Sequence, residues 1–195
     1  MRVISFDHMR VISGQFKGRR LNTTPPSGIR PTSDKLKETI FNILATRVAG
    51  ATFLDGCAGL GGIGIEALSR GASQVVFAEQ SRKACRIIRE NLQSLDIKEG
   101  YKILEMDLAK ALGLCASESI QFDIAFIDPP WDRDDIYESA FKKFSEAGLL
   151  APEGLLIMEH SKRKEAPEKW GALCKTRSLI QGDGALAFYQ LGLEE

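Results

Sequence analysis

The 195-residue chain lacks the features that mark several classes of protein. It has four cysteines at scattered positions with no C-x-x-C pair, so neither a disulfide framework, a zinc site nor a redox motif is indicated. No stretch approaches the roughly 18 apolar residues that a membrane span needs, and the N-terminus has no apolar run typical of a secretory signal. We therefore expect a protein of the reducing cytoplasm, without a metal and without a membrane partner.

The charge is balanced overall but unevenly spread. Apolar residues make up 44% and charged residues 27% of the chain, which is ordinary for a soluble globular protein. Residues 1–50 hold nine Lys or Arg and three Asp or Glu, so they carry +6 and the remainder carries −6. A basic N-terminal quarter predicts an anionic macromolecular partner at that end, the alternative being a solvated basic face.

The chain divides into three segments. Residues 1–5 (Met-Arg-Val-Ile-Ser) recur as residues 9–13, so we expect residues 1–8 to be an upstream start or an expression artefact. Residues 9–50 form the basic segment, with a hairpin over 10–21, a Pro- and Gly-rich loop over 22–31 and a helix capped by Thr32 or Ser33. Residues 51–195 form the main domain.

Short apolar runs alternate with helical runs throughout the main domain. Strands are predicted at 52–55, 74–79, 101–106, 122–128 and 155–159, helices at 62–70, 82–95, 136–147 and a short one ending near 114, and a closing hairpin at 176–180 and 185–191. This alternation predicts a parallel α/β sheet covered on both faces. Such sheets bind ligands at the carboxyl ends of their strands.

The loop after the first predicted strand is rich in glycine. Gly59, Gly61 and Gly64 satisfy G-x-G-x-x-G between a strand and a helix, which favours a nucleotide-type ligand over mere close packing. A dinucleotide would place its pyrophosphate at the helix N-terminus, where Asp55 would oppose it. S-adenosylmethionine has no phosphate and carries a sulfonium and an ammonium, so it suits Asp55 better. The predicted cofactor contacts in this loop are Asp55, Gly56, Cys57, Ala58, Gly59 and Gly61.

Acidic residues also end the next two strands. Glu79 is placed to accept hydrogen bonds from both ribose hydroxyls, although either ligand uses an acid there and an exposed charge is the alternative. Asp107 can hold the adenine amino group, cap the following helix, or do both. The neighbouring Gln80 and Leu108, together with Asp128, complete the predicted cofactor set.

The fourth strand ends in Asp128-Pro129-Pro130-Trp131, which we predict to be the catalytic residues. Two prolines fix φ and remove two N–H donors, leaving a stiff loop of acceptors. Asp128 and the Pro129 carbonyl can both accept from one exocyclic amine, and Trp131 offers a face on which a base can stack. The alternative is a rigid turn with a packed tryptophan.

The glycine loop and Asp-Pro-Pro-Trp look like motifs of amino-methyltransferases that use S-adenosylmethionine. With the segments 10–21, 28–34, 38–44 and 53–72, the chain resembles the RsmD family of bacterial 16S ribosomal RNA guanine-N2 methyltransferases. The resemblance runs from about residue 9 to the C-terminus, with Cys57 where Phe is usual and Trp131 where Phe or Tyr is commoner. It implies a Rossmann-like class I methyltransferase fold, with a mostly parallel seven-stranded sheet, a C-terminal antiparallel hairpin and a small N-terminal hairpin and helix.

The resemblance also implies an activity: methylation of the exocyclic N2 of a guanine in 16S rRNA, with S-adenosylmethionine as cofactor. The partner would be free 16S rRNA, the small ribosomal subunit or its assembly intermediate, and we expect a monomer. RNA phosphates would be held by Arg10, Lys17, Arg19, Arg20 and Arg30.

Other functions stay open at this point. A methyltransferase acting on adenine N6 or cytosine N4 of DNA or another RNA, or on a protein amine, would share both main motifs. An NAD-dependent oxidoreductase would leave the segment 128–131 unexplained, and a non-catalytic RNA-binding protein would not need it. The group that finally takes the amine proton is either Asp128 or water.

Overall fold

The computed structural model describes residues 9–23 and 32–192. Residues 1–8 and the predicted RNA contact Arg30 lie outside this range. The helices are α1 (Asp34–Leu44), a 3-10 helix (Ala45–Val48), α2 (Gly62–Ser69), α3 (Arg82–Ser94), α4 (Leu108–Ser117) and α5 (Asp134–Glu146). The strands are β1 (Thr52–Gly56), β2 (Gln74–Ala78), β3 (Tyr101–Leu104), β4 (Phe122–Ile127), β5 (Leu150–Ser161), β6 (Lys169–Trp170), β7 (Leu173–Gln181) and β8 (Gly184–Leu191).

All eight strands form one sheet in the order β3-β2-β1-β4-β5-β8-β7-β6. The first five pair in parallel, and β8, β7 and β6 pair antiparallel. The predicted mostly parallel sheet with a C-terminal antiparallel hairpin is therefore confirmed. The predicted count of seven strands is wrong, because the two-residue strand β6 adds an eighth at the edge. So short a strand has no periodicity that a sequence could reveal.

Strand β5 is also longer than predicted. It begins at Leu150, which pairs with Phe122, and the pairing register shifts before Leu155 pairs with Ile124. Pro152 and Gly154 lie in this irregular stretch. Their turn-like composition is why the sequence predicted only the regular part of the strand.

The sheet separates two apolar cores. One core contains Phe53, Phe77 and Ile88 and lies under α1, α2 and α3, and the other contains Leu112 and Phe144 and lies under α4 and α5. The central strands are apolar on both faces, as expected where helices cover a parallel sheet on both sides. In the described ranges, no helix is long and apolar enough to cross a bilayer.

The basic N-terminal segment is attached firmly to this domain. Arg10 and Arg20 form an antiparallel bridge, so the predicted hairpin is present, although as an isolated bridge rather than two regular strands. The buried Glu66 of α2 accepts the backbone N–H groups of Ile12 and Ser13 at 2.7 and 2.9 Å. A buried carboxylate that accepts two N–H donors is a strong tether, because removing it would leave those donors unpaired. The hairpin therefore has a defined position relative to the sheet.

Candidate active site

A cavity of about 1130 Å³ lies at the carboxyl ends of the parallel strands, beside the switch point between β1 and β4. This is slightly above the roughly 300–1,000 Å³ of small-molecule sites, so the cavity has room for two ligands. We call residues 57–60, 79–81 and 106–109 of its wall the cofactor end, and residues 128–131, Glu159 and 181–184 the acceptor end. Met9, Ser33 and Leu36 from the N-terminal segment close one side.

Most of the predicted site residues meet at this cavity, although the chain separates them widely. The predicted residues on its wall are Cys57, Ala58, Gly59, Glu79, Gln80, Asp107, Leu108, Asp128, Pro129, Pro130 and Trp131. The predicted cofactor contacts Asp55, Gly56 and Gly61 are not part of the wall.

Asp55 lies on the side of the glycine loop that faces away from the cavity. It is 2% exposed, and its Oδ2 accepts the backbone N–H of Gly64 at 2.7 Å. Burial raises its pKa to about 8, and the nearby charges of Asp128 and Glu79 act in the same direction. In this structure Asp55 holds the first turn of α2. The direct contact with a cofactor cation that we expected from the sequence stays a prediction.

The glycines of the loop have separate physical roles. Gly59 is on the cavity wall, and Gly61 starts α2 with φ of 78°, a left-handed conformation that favours glycine. A Cβ on Gly64 would come within 2.3 Å of the Phe77 ring, so this glycine lets α2 pack closely on β2. Gly61 thus serves the chain path and Gly64 the packing of α2.

Glu79 connects the end of β2 to the glycine loop. It is 8% exposed, so the alternative of an exposed strand-end charge does not hold. Its two carboxylate oxygens accept the backbone N–H groups of Gly59 and Ser81, both at 2.8 Å. Each oxygen retains a lone pair for a further donor. Glu79 therefore shapes the loop and can also accept from hydroxyls of a ligand in the cavity.

Asp107 performs the capping role that the sequence allowed. Its Oδ1 accepts the backbone N–H of Lys110 at 3.0 Å, and its Oδ2 lies 2.9 Å from the Lys110 Nζ. The hydrogen bonds with Lys110 lower the pKa of this carboxyl. The side chain also reaches the cavity wall, so contact with an adenine amine is compatible with the cap.

The Asp-Pro-Pro-Trp turn begins directly at the end of β4. The Asp128 N–H donates to the Gly56 carbonyl at 3.2 Å, which extends the β1–β4 pairing by one residue. Burial raises the pKa of Asp128 to about 6. The sequence did not indicate Tyr137 of α5, whose hydroxyl donates to the Glu159 carbonyl at 2.8 Å and lies 3.5 Å from the Pro129 carbonyl oxygen. Tyr137 therefore links the turn to β5.

The acceptor end contains two further polar side chains that sequence reasoning missed, Glu159 and Gln181. Glu159 follows the apolar run 155–158 of β5, just as Asp128 follows β4, so an acid after an apolar strand was the available signal. Gln181 ends β7, and no comparable pattern marks it. Two atoms, the Glu159 Oε1 and the Trp131 Cζ2, approach Gly184 so closely that a Cβ there would lie 3.1 and 3.3 Å from them. The Trp131 ring and the Glu159 carboxylate thus share one edge of the cavity.

The four described RNA-contact candidates all lie on the hairpin. Arg10 pairs with Asp34 at 2.9 Å, and Arg19 Nη2 donates to a backbone carbonyl of α3 at 2.8 Å. Lys17 and Arg20 are exposed. Arg10 lies beside the cavity, because its partner Asp34 follows the wall residue Ser33. The hairpin tip, residues 15–19, instead contacts Ser69 and Ser94 at the C-terminal ends of α2 and α3, away from the cavity.

The chemistry of the wall discriminates between the two expected ligands. Glu79, Asp107 and Asp128 make the wall acidic, which disfavours a pyrophosphate and suits a cationic ligand with a ribose and an adenine. Together with the sheet order, this site defines a class I methyltransferase, for which S-adenosylmethionine is the expected cofactor.

Comparison with known proteins defines the family. The family model described as Conserved hypothetical protein 95 matches residues 9–190. The chain belongs to this family, which is the RsmD family that the sequence motifs indicated.

Two similar proteins are both named ribosomal RNA small subunit methyltransferase D. The one from Haemophilus influenzae is 34% identical over 168 residues, covering 85% of this chain and 86% of that protein. The one from Escherichia coli K12 is 31% identical over 182 residues, covering 93% and 89%. The solved structure of Escherichia coli YhhF has a TM-score of 0.83 and 29% identity, covering 96% of this chain and all of that one. SMU.776 complexed with S-adenosylhomocysteine, at 12% identity and a TM-score of 0.70, shows likeness in fold alone.

Proposed function

We propose that this protein is an S-adenosylmethionine-dependent methyltransferase that methylates the exocyclic N2 of a guanine in 16S rRNA of the small ribosomal subunit. One observation carries the proposal. Asp128 and Pro129 line the same cavity as Glu79 and Asp107, so acceptors for an amine and for a cofactor ribose and adenine face one space. The names of the relatives support rRNA as the substrate.

The cofactor end is suited to hold S-adenosylmethionine through Glu79, Asp107 and the loop residues 57–60. When bound, this cofactor supplies a methyl group that its sulfonium makes electrophilic. The acidic wall favours that positive charge because opposite charges attract.

The residues of the acceptor end act on the amine. The lone pair of the guanine amine is conjugated with the ring, so the nitrogen is a poor nucleophile. Asp128 and the Pro129 carbonyl accept hydrogen bonds from the two N–H groups of the amine. These bonds hold the lone pair toward the cofactor end, and such positioning accounts for much of the rate. Asp128 also stabilises the positive charge that develops on the nitrogen. Its raised pKa favours Asp128 over water as the acceptor of the departing proton.

Trp131 and the hairpin act on the rest of the RNA. The base must leave its stack to reach the cavity, and the half-buried Trp131 ring offers the surface on which it stacks. Arg10, Lys17, Arg19 and Arg20 would contact phosphates, which supply affinity with little sequence readout. Acceptors for the cofactor and for the amine lie on one cavity wall of this chain, so the proposed chemistry needs no second copy, and we propose that the protein acts as a monomer.

The direct test uses labelled S-adenosylmethionine with free 16S rRNA and with small subunits that lack the modification. Mass spectrometry of the digested RNA should show N2-methylguanine. Label on adenine, on cytosine or on no RNA would overturn the proposed substrate. Calorimetry should show binding of S-adenosylhomocysteine and no comparable binding of NAD.

A further inference from the structure

The acceptor end has more hydrogen-bond acceptors than one amine requires. The amine has two hydrogens, and Asp128 and the Pro129 carbonyl already accept both. Glu159 and Gln181 add a carboxylate and an amide on the same stretch of wall. The Gln181 Oε1 is buried and has no hydrogen-bond partner among the described residues. A buried acceptor without a donor is costly, so this atom indicates a donor that a ligand brings.

The position of Glu159 fits the same ligand. Its carboxylate and the Trp131 ring converge over Gly184, where a side chain would push against both. A base stacked on Trp131 therefore lies within reach of the Glu159 carboxylate. The hydroxyl of Tyr137 fixes the backbone of Glu159 at 2.8 Å, so the carboxylate is carried by a held segment of β5.

A wall of acceptors selects among the bases that carry an exocyclic amine. Guanine has a hydrogen on ring N1 directly beside its amine, so its edge presents adjacent donors. Adenine and cytosine have a ring-nitrogen lone pair beside their amines, and this lone pair would face a carboxylate and repel it. Sites built to hydrogen-bond a substrate reject analogues that lack the donor, because their polar groups are then left unpaired.

We propose that Glu159, assisted by Gln181, selects guanine by accepting the hydrogen of ring N1 next to the amine held by Asp128 and Pro129. Glu159 is thus a specificity-determining residue of the acceptor end. This inference rests on the proposed function, since it concerns the same acceptor base.

The experiment measures the activity of each enzyme variant on two substrates that differ in the base to be methylated. Small subunits are reconstituted with 16S rRNA that carries either guanine or 2-aminopurine at the methylated position. 2-Aminopurine keeps the amine on C2 but has no hydrogen on N1. The enzymes are the wild type, Glu159→Gln, Gln181→Leu and the control Glu146→Gln, whose carboxylate is exposed at the end of α5.

The wild type should prefer guanine over 2-aminopurine by at least about 100-fold in kcat/KM, as expected where a hydrogen bond is lost from a built site. Glu159→Gln should lower kcat/KM on guanine by about tenfold or more and reduce the preference to below about tenfold. Gln181→Leu should reduce the preference by a smaller factor, and Glu146→Gln should match the wild type. Binding of S-adenosylhomocysteine should be unchanged in all variants.

An unaltered guanine preference in Glu159→Gln overturns the inference and leaves the proposed function intact, because the wild type still methylates guanine N2. If Glu159→Gln fails to bind S-adenosylhomocysteine as the wild type does, the preference of Gln181→Leu decides instead. An unaltered preference there overturns the inference, and a reduced one supports it. Wild-type methylation of another base would instead overturn the proposed function itself.

Discussion

The two ends of the cavity differ in how their polar side chains are hydrogen-bonded. At the cofactor end, Glu79 and Asp107 accept backbone N–H groups of the residues around them. At the acceptor end, burial raises the pKa of Asp128, and the Gln181 Oε1 has no donor within the described ranges. The cofactor end is therefore held by hydrogen bonds within the protein, whereas we propose that donors of the substrate complete the acceptor end.

This difference explains why catalysis and cofactor binding should respond separately to substitution. Carboxylates that hold the backbone are part of the fold of the loop, and their loss changes its shape. In the proposed function the Asp128 carboxylate acts on the substrate, so an isosteric replacement there should leave the fold unaffected. The following predictions test that separation.

The largest effect is expected for Asp128→Asn. The amide keeps the shape but lacks the charge that stabilises the developing cation, and loss of such a group costs about 10²–10³-fold in kcat. Binding of S-adenosylhomocysteine should stay within about threefold, because this thioether has no sulfonium charge for Asp128 to attract. Single-turnover kinetics and calorimetry measure the two quantities. The matched control is Asp132→Asn, an exposed acid one residue beyond the turn, which should keep wild-type turnover.

The reverse pattern is expected for Glu79→Gln. The new amide hydrogens would face the N–H groups of Gly59 or Ser81, so the loop loses a charge-assisted bond. Such bonds contribute about 1.5–3 kcal/mol, which predicts a 10- to 150-fold rise in the Kd of S-adenosylhomocysteine. Glu105→Gln, an exposed acid after β3, is the control and should bind normally. Equal affinity in both variants would show that the cofactor end is not formed by Glu79.

Trp131→Ala should act on the acceptor side alone. Stacking of a base on an aromatic ring is worth roughly 1–3 kcal/mol, so kcat/KM for RNA should fall about 5- to 150-fold. Trp131→Phe and Trp131→Tyr keep a π-face and should retain most activity. Steady-state kinetics measure kcat/KM for RNA, and calorimetry with S-adenosylhomocysteine checks that cofactor binding is unchanged. Equal loss in the Ala and Phe variants would contradict stacking and indicate a contact specific to the indole.

Asp55→Asn should change the pH dependence of stability. The folded-state pKa of Asp55 is about 8, above the ordinary value of 3.8, so the native state binds more protons than the unfolded state between these values. The free energy of unfolding should therefore fall as pH rises through this window, by up to about 1.4 kcal/mol per pH unit. Asn has no proton to lose and can still accept from Gly64, so the variant should lose this slope. Urea titrations of the cofactor-free wild type and variant from pH 5 to 8 give the free energy of unfolding at each pH. If the two proteins lose stability equally with rising pH, burial does not raise the pKa of Asp55.

The smallest effect is expected at the hairpin. The double variant Lys17→Ala/Arg20→Ala removes two exposed cations. Each lost phosphate contact should reduce the slope of log binding constant against log salt concentration by about 0.7–0.9. Cofactor affinity should not change. Lys98→Ala with Lys142→Ala removes the same charge elsewhere on the surface and is the control. Equal slopes for the two pairs would mean that the basic hairpin is only a solvated face.

Much of the fold followed from local pattern. Apart from the start of β5, the alternation of apolar and helical runs predicted the long strands and helices of the main domain within a few residues, because each buries its own apolar face. The glycine loop and the Asp-Pro-Pro-Trp turn were recognisable because their residues restrict the backbone directly. The edge strand β6 and the irregular start of β5 were missed, since long-range pairing and not local preference decides them.

The sequence by itself determined which residue types stand at the strand ends, and hence the class of chemistry. Only the tertiary structure decided which of them face the cavity. Asp55 lies near the end of β1 and Glu79 directly follows β2, yet Asp55 points to the start of α2 and Glu79 lies on the wall. Glu159 and Gln181 join the acceptor end because β5 and β7 end at the same edge of the sheet as β4. The physical reason is that a side chain's exposure depends on neighbours distant in sequence, and only the assembled sheet brings those neighbours together.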